Sequence, residues 1–284
     1  MMKNTFNIFK KTAALLAVAL GLSSCLEKIP GDYILEEDTM NTVAEAEQIL
    51  TGIYSAYMSG SLFSGYLTLC PDIQADLVYA VNGNTNTYGN IWQWDIRSTS
   101  SEIESVYAAL YKVIGRCNFY LDQVEELRAG LTDDVDIMTL DFFTGEVYCA
   151  RALAYSELVK CFCKAYDPLT AANELGVVLK SSYFKEEPVT RASLEETYDF
   201  ILADLEKAEE LLDEDNDYYD AAYFTKAAAH AIHARMALYM QDWDAAIEHS
   251  TKLIDSDAFT LASAKGYATS NQTFLQYMWT NDAS

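Results

Sequence analysis

Residues 221–254 read AAYFTKAAAHAIHARMALYMQDWDAAIEHSTKLI, and this stretch decides the fold. Its first part, Ala221 to Met240, has small and apolar residues at helical spacing. Gln241-Asp242 is a tight connection, and Trp243 to Ile254 repeats the helical period. Ala234 and Ala237 are small on the first helix, and Trp243 and Ala246 stand at the start of the second. Small residues let two antiparallel helices approach closely, and the reading places the Trp243 ring in the gap beside them.

Upstream, the same pattern recurs in pieces. Thr42-Val43-Ala44-Glu45 reads as a capping box, in which the hydroxyl takes an orphan backbone N–H and the carboxylate reaches back. A helix with Val43, Ala46, Ile49, Leu50, Ile53 and Tyr57 on one face follows and stops near Ser59-Gly60. Ser101-Glu102-Ile103-Glu104 is a second box, opening a helix that runs to about Leu127. A long helix is expected from Thr139 to Ala165. Ser193-Leu194-Glu195-Glu196 is a third box, and the stripe Leu194, Tyr198, Ile201, Leu202, Leu205, Ala208, Leu211 and Leu212 follows it. Residues 60–99 and 166–192 lack a sustained helical period and read as long irregular insertions, the first with room for short strands. The expected fold is therefore all-α, built of tetratricopeptide-like antiparallel helix pairs without a regular repeat length.

Composition narrows the function. Asp and Glu number 43 against 19 Lys and Arg, for a formal charge of −24 over 284 residues. Removing Lys3, Lys10 and Lys11 with a leader takes this to −27, a body that repels polyanions and excludes nucleic acid as partner. Those lysines precede an apolar run, Thr12 to Leu22, too short to span a bilayer. The run ends in Leu22-Ser23-Ser24-Cys25, the pattern of a bacterial lipobox, so residues 1–24 are expected to be a lipoprotein signal peptide, Cys25 the lipidated residue and 25–40 a tether. The remaining cysteines, Cys70, Cys117, Cys149, Cys161 and Cys163, are odd in number and do not make a complete disulfide framework. They read as buried apolar thiols.

Four stretches resemble the SusD/RagB family of Bacteroidetes outer-membrane nutrient-binding lipoproteins. Glu104 to Asn118 resembles its helix of aromatics, isoleucine and asparagine. Gly145 to Val159 is similar to its Glu…Arg-Ala…Tyr…Leu helix, here Glu146, Arg151, Ala152, Tyr155 and Leu158. Pro188-Val189-Thr190-Arg191-Ala192-Ser193, with Tyr198, Ile201, Asp204 and Leu205, resembles its Pro…Arg-x-Ser entry to an Asp-Leu helix. Ala228 to Leu261 resembles its Ala-Arg…Leu-Tyr, Asp-Trp…Ala and Phe-x-Leu ending. The resemblance divides the chain into 41–220, the family's N-terminal helical region, and 221–284, a helix pair and the start of a C-terminal region that the family continues well beyond this length. It implies a surface-exposed lipid-anchored protein of the outer membrane that captures oligosaccharide or another nutrient for a SusC-like TonB-dependent transporter, breaks no bond and needs no cofactor.

Sugars bind to aromatic platforms flanked by amides and carboxylates. That chemistry singles out Asn86, Tyr88, Trp92, Trp94 and Asp95 as the candidate ligand-binding residues. Two readings stand: the indoles face a ligand, or they pin the loop onto the helices. If the segment were a strand, Trp92 and Trp94 would face one way. Asp213 to Asp217 fails the calcium-loop pattern, because Tyr218 and Phe224 stand where glycine and glutamate are required. His230 and His233 are three apart on a helix without an identifiable third ligand, and His249 has no Ser or Cys partner, so no metal or catalytic residue is assigned. Glu125, Glu126, Glu209 and Glu210 read as solvated helix faces. The rivals to a binding role are a helical envelope interaction module and a lipid-anchored glycoside hydrolase, whose two carboxylates must face one sugar at a fixed separation that linear sequence does not reveal.

Overall fold

A computed structural model describes residues 40–79, 81, 83, 85–186, 189–213, 222–256 and 258–259, all within the unit Met40–Ser284. The signal peptide, Cys25, the tether up to Thr39, the acidic run from 214 to 220 and the segment beyond 259 lie outside the described residues.

Helix α1 (Val43–Tyr57) opens as its sequence dictates. The Thr42 hydroxyl accepts from Glu45 N at 3.2 Å and the Glu45 carboxylate accepts from Thr42 N at 3.0 Å, completing the capping box. Its buried residues Ala46, Leu50, Ile53 and Ala56 recur at three and four, on the expected stripe. Residues 60–99 contain two short helices, α2 (Tyr66–Gln74) and α3 (Gly89–Trp92), and no strand among the described residues. Helix α4 (Ser101–Leu121) is capped at Ser100, one residue before the expected box, and Ser101 Oγ turns to Glu102 Oε2 instead. It ends at Leu121, and a separate short helix α5 (Val124–Gly130) follows, so the single helix expected to Leu127 is broken in two.

The organising element is α6 (Asp134–Phe162), five residues longer at its start than expected because the Asp133 carboxylate caps Val135 N and Asp136 N. From Leu140 to Val159 it is buried on nearly every side, since α1, α4, α7 (Leu194–Leu211) and α8 (Lys226–Met240) pack around it. Tyr120, Tyr155, Leu110, Ile114, Leu158, Ile201 and Leu205 are fully buried in this core. The insertion 166–192 is not wholly irregular: β1 (Leu175–Val178) pairs antiparallel with β2 (Arg191–Ser193), with a bulge between the Leu175–Ser193 and Val178–Arg191 pairs. Ser193 then caps α7 in a second complete capping box with Glu196.

Helix α8 starts at Lys226, capped by the Thr225 hydroxyl, and turns through Gln241, at φ 64°, into α9 (Trp243–Asp255). This is the expected antiparallel pair, but Trp243 does not fill its seam. The residue is 57% exposed, and the seam is closed by the rings of His233 and His249, stacked 3.6 Å apart at 26°. Among the cysteines, Cys70, Cys117 and Cys149 are buried as expected, whereas Cys161 is exposed and Cys163 half-exposed because α6 ends between them; all five are free thiols.

Candidate functional site

The segment 86–95 is a tight sequence of turns. Asn86, Tyr88 and Trp94 all take left-handed backbone, at φ 58°, 59° and 57°. Gly89 allows the first of these turns to close, because a Cβ there would lie 2.3 Å from Asn86 Oδ1. Between the turns, Gly89–Trp92 is one turn of helix, so Trp92 and Trp94 do not share a strand face. Ile91 does the pinning. It is fully buried in a small apolar cluster with Cys70 and Ile73, and the Tyr88 ring meets Tyr66 edge-on at 6.1 Å. With Ile91 holding the segment, Trp92 and Trp94 remain 46% and 65% exposed. Asp95 and Arg97 form an exposed bidentate pair, both bonds 3.0 Å, and this hydrogen-bonded carboxylate holds the Arg97 guanidinium above its ordinary pKa.

Beside this segment lies a cleft of about 710 Å³, which sequence reasoning missed. Tyr66, Pro71 and Gln74 of α2 form one wall, Ile96 to Ser98 a second, and Lys160 to Cys163 at the end of α6 a third. Arg97, paired with Asp95, therefore links the cleft to the aromatic segment. No local pattern signals the cleft, because its walls come from four parts of the chain, Ile103 and Val106 of α4 being the fourth, brought together by packing.

The polar residues of the sequence motifs converge elsewhere, inside the core. Arg151 Nε and Nη2 donate to the Asp204 carboxylate at 2.8 and 2.7 Å, and Nη1 donates to Asn118 Oδ1 at 2.7 Å. The guanidinium also lies over the Phe200 ring, 5.0 Å from its centroid. Asn118 Nδ2 donates to Lys180 O at 2.9 Å, and the Tyr155 hydroxyl brackets the same residue, donating to Lys180 O at 3.0 Å and accepting from Lys180 N at 2.7 Å. Arg191 binds the carbonyls of Gly176, Phe162 and Leu175, and Arg235 ties α8 to Ser156 and Glu157 of α6. These residues fasten helices and the hairpin together; Arg151, Asn118 and Asp204 are buried, while Arg191 lies at the surface. Glu146 accepts a short hydrogen bond from the Tyr54 hydroxyl, and burial raises its carboxyl from an ordinary 4.5 to about 7.

A second polar cluster closes the α7–α8–α9 seam. Glu209 Oε1 lies 2.9 Å from His233 Nδ1, 3.1 Å from His230 Nδ1 and 3.3 Å from His249 Nδ1. The partners that the sequence could not identify for His230 and His233 are thus Glu209 and His249. Glu209 is only 15% exposed and is no solvated face. Burial acts to raise the Glu209 carboxyl, but hydrogen bonds from His230 and His233, and their charge, outweigh it and hold the group at about 2. Burial, then the charge of His233, holds the His249 ring down at about 4.

Residues 32–238 match the sequence profile of a SusD-like family described as starch-binding and associating with the outer membrane. SusD-like protein P38 of Formosa agariphila is 25% identical over 265 residues, which is 88% of this chain and 46% of P38. A solved SusD superfamily protein from Bacteroides thetaiotaomicron superposes with a TM-score of 0.66 at 20% identity, covering 82% of this chain and 51% of that one. A putative sugar binding protein from Bacteroides vulgatus gives 0.68 at 23% identity, covering 87% and 52%. The chain spans about half the length of these relatives.

Proposed function

The chain belongs to the SusD-like family of the outer membrane, and from that premise we propose that it serves in oligosaccharide capture, with Trp92 and Trp94 as the aromatic platform. The supporting observation is their exposure while the neighbouring Ile91 is fully buried: the apolar anchor and the apolar display are separate side chains. Indole faces stack against the apolar faces of pyranose rings, and Asn86, the Asp95–Arg97 pair and the 710 Å³ cleft beside it offer the hydrogen bonds that orient the hydroxyls. In this reading no bond is broken, and the captured sugar passes to a SusC-like TonB-dependent transporter. Residues 1–24 direct export, Cys25 carries the lipid, and 25–40 tether the body at the cell surface. No helix among the described residues is long and apolar enough to cross a membrane, which fits anchoring through lipid.

Calorimetric titration of the purified chain with soluble maltooligosaccharides, and with a panel of other soluble glycans, tests the proposal. Trp92→Ala combined with Trp94→Ala should weaken binding about tenfold or more, roughly 1.4 kcal/mol, with an unchanged unfolding midpoint. Unchanged affinity in the folded variant removes this platform. A folded chain that binds no glycan supports the interaction-module reading, and release of shortened sugars supports a hydrolase.

A further inference from the structure

The chain contains three histidines, and all three converge on one carboxylate oxygen. They come from different places: His230 and His233 from one face of α8, His249 from α9, and Glu209 from α7. Each His side chain is 10% exposed or less. Ligand atoms of Glu209, His233 and His249 lie within 4.8 Å of one another, and His230 Nδ1 stands 3.1 Å from both Glu209 Oε1 and His249 Nδ1. We propose that Glu209, His230, His233 and His249 form a zinc-type transition-metal site that staples α7, α8 and α9 together. This is independent of glycan capture.

Geometry and donor type carry the argument. Four atoms bound tetrahedrally at about 2.0–2.1 Å from Zn²⁺ lie roughly 3.3 Å from each other. The Glu209 oxygen stands 2.9, 3.1 and 3.3 Å from the three imidazole nitrogens, and the His230 and His249 nitrogens are 3.1 Å apart, so four of the six edges of a tetrahedral donor set are close to the spacing an ion requires. Two imidazole Nδ1 atoms at that distance repel unless one carries a proton for the other to accept; a shared cation satisfies both at once. Three imidazoles and one carboxylate select a borderline ion such as Zn²⁺, whereas Ca²⁺ and Mg²⁺ take oxygen ligands. For both lone pairs to meet one centre, the His233 and His249 rings, stacked with centroids 3.6 Å apart, rotate out of their stack. A cavity of about 830 Å³ lined by Glu206, Glu209, Lys226, His230 and Lys252 supplies an entry path on the α7 side.

The test uses the tag-free chain, stripped of metal with a chelator and titrated with Zn²⁺ alone. One equivalent should bind and raise the thermal midpoint. Co²⁺ should give the intense visible absorption of a four-coordinate centre. His249→Gln should weaken Zn²⁺ binding by about tenfold or more and abolish the Co²⁺ spectrum, with Glu209→Gln as the second variant should the first not fold. Failure of the wild-type chain to bind a stoichiometric Zn²⁺, a six-coordinate Co²⁺ spectrum, or binding unaffected by both substitutions would overturn the assignment.

Discussion

Arg151 on α6 and Asp204 on α7, 53 residues apart, meet in a two-bonded ion pair at 2.7 and 2.8 Å, with side chains only 7% and 6% exposed. Burial pushes the Asp204 carboxyl up and the Arg151 guanidinium opposes it. Removing two charges from water offsets much of their attraction, so the pair adds little net stability, yet either charge left alone is costly. Arg151→Ala or Asp204→Ala should therefore lower the unfolding free energy by about 3–5 kcal/mol, while Arg151→Met with Asp204→Leu should recover most of that loss. Urea unfolding of the three variants measures it. A loss under about 1 kcal/mol in both single variants would show that the pair does not fasten the seam.

Glu146 sets a pH dependence. Its carboxyl rises from 4.5 to about 7 on folding, so the folded chain holds a proton that the unfolded chain releases between those values. Stability from this group is full below pH 4.5 and is lost as the pH rises through 7. At about 1.4 kcal/mol per pH unit the loss is at most roughly 3 kcal/mol. Glu146→Gln keeps an acceptor for the Tyr54 hydroxyl and removes the titration. The wild type should lose more stability than this variant between pH 5 and pH 8, measured by urea unfolding. Equal losses would contradict the shift.

Gly176 in β1 has no room for a side chain. A Cβ there would lie 2.0 Å from Thr197 Oγ1 and 2.3 Å from Ser193 O. Thr197 Oγ1 accepts from Val177 N at 3.2 Å and donates to Ser193 O at 2.8 Å, which joins the hairpin to the first turn of α7. Gly176→Ala should cost about 1–3 kcal/mol by overpacking. Thr197→Ala should not rescue it, since the Ser193 carbonyl remains in the way. A thermal melt of the single and double variants decides; full rescue would place the whole clash on the threonine.

The helices were legible in the sequence because their determinants are local. The Thr42 and Ser193 boxes close over three residues, and the stripes of α1 and α7 follow the helical period. Ser101 shows the limit: the N-cap position falls one residue earlier, on Ser100, which has Ile103 rather than an acid three residues on and whose Oγ makes no capping bond but accepts from Arg97 N at 3.1 Å. The candidate segment was legible as composition and not as geometry. Its tryptophans are exposed because Ile91, an unremarkable residue in sequence, takes the buried position.

The amino-acid sequence alone determined an all-α chain of paired helices with two insertions, since backbone hydrogen bonding and side-chain periodicity act within a few residues. Only the tertiary structure decided what meets what. Asn118, Arg151 and Asp204 became one buried fastener, and Glu209 gathered three histidines from two helices. Those contacts depend on the relative rotation and depth of packed helices, quantities set by the whole core and by no local stretch.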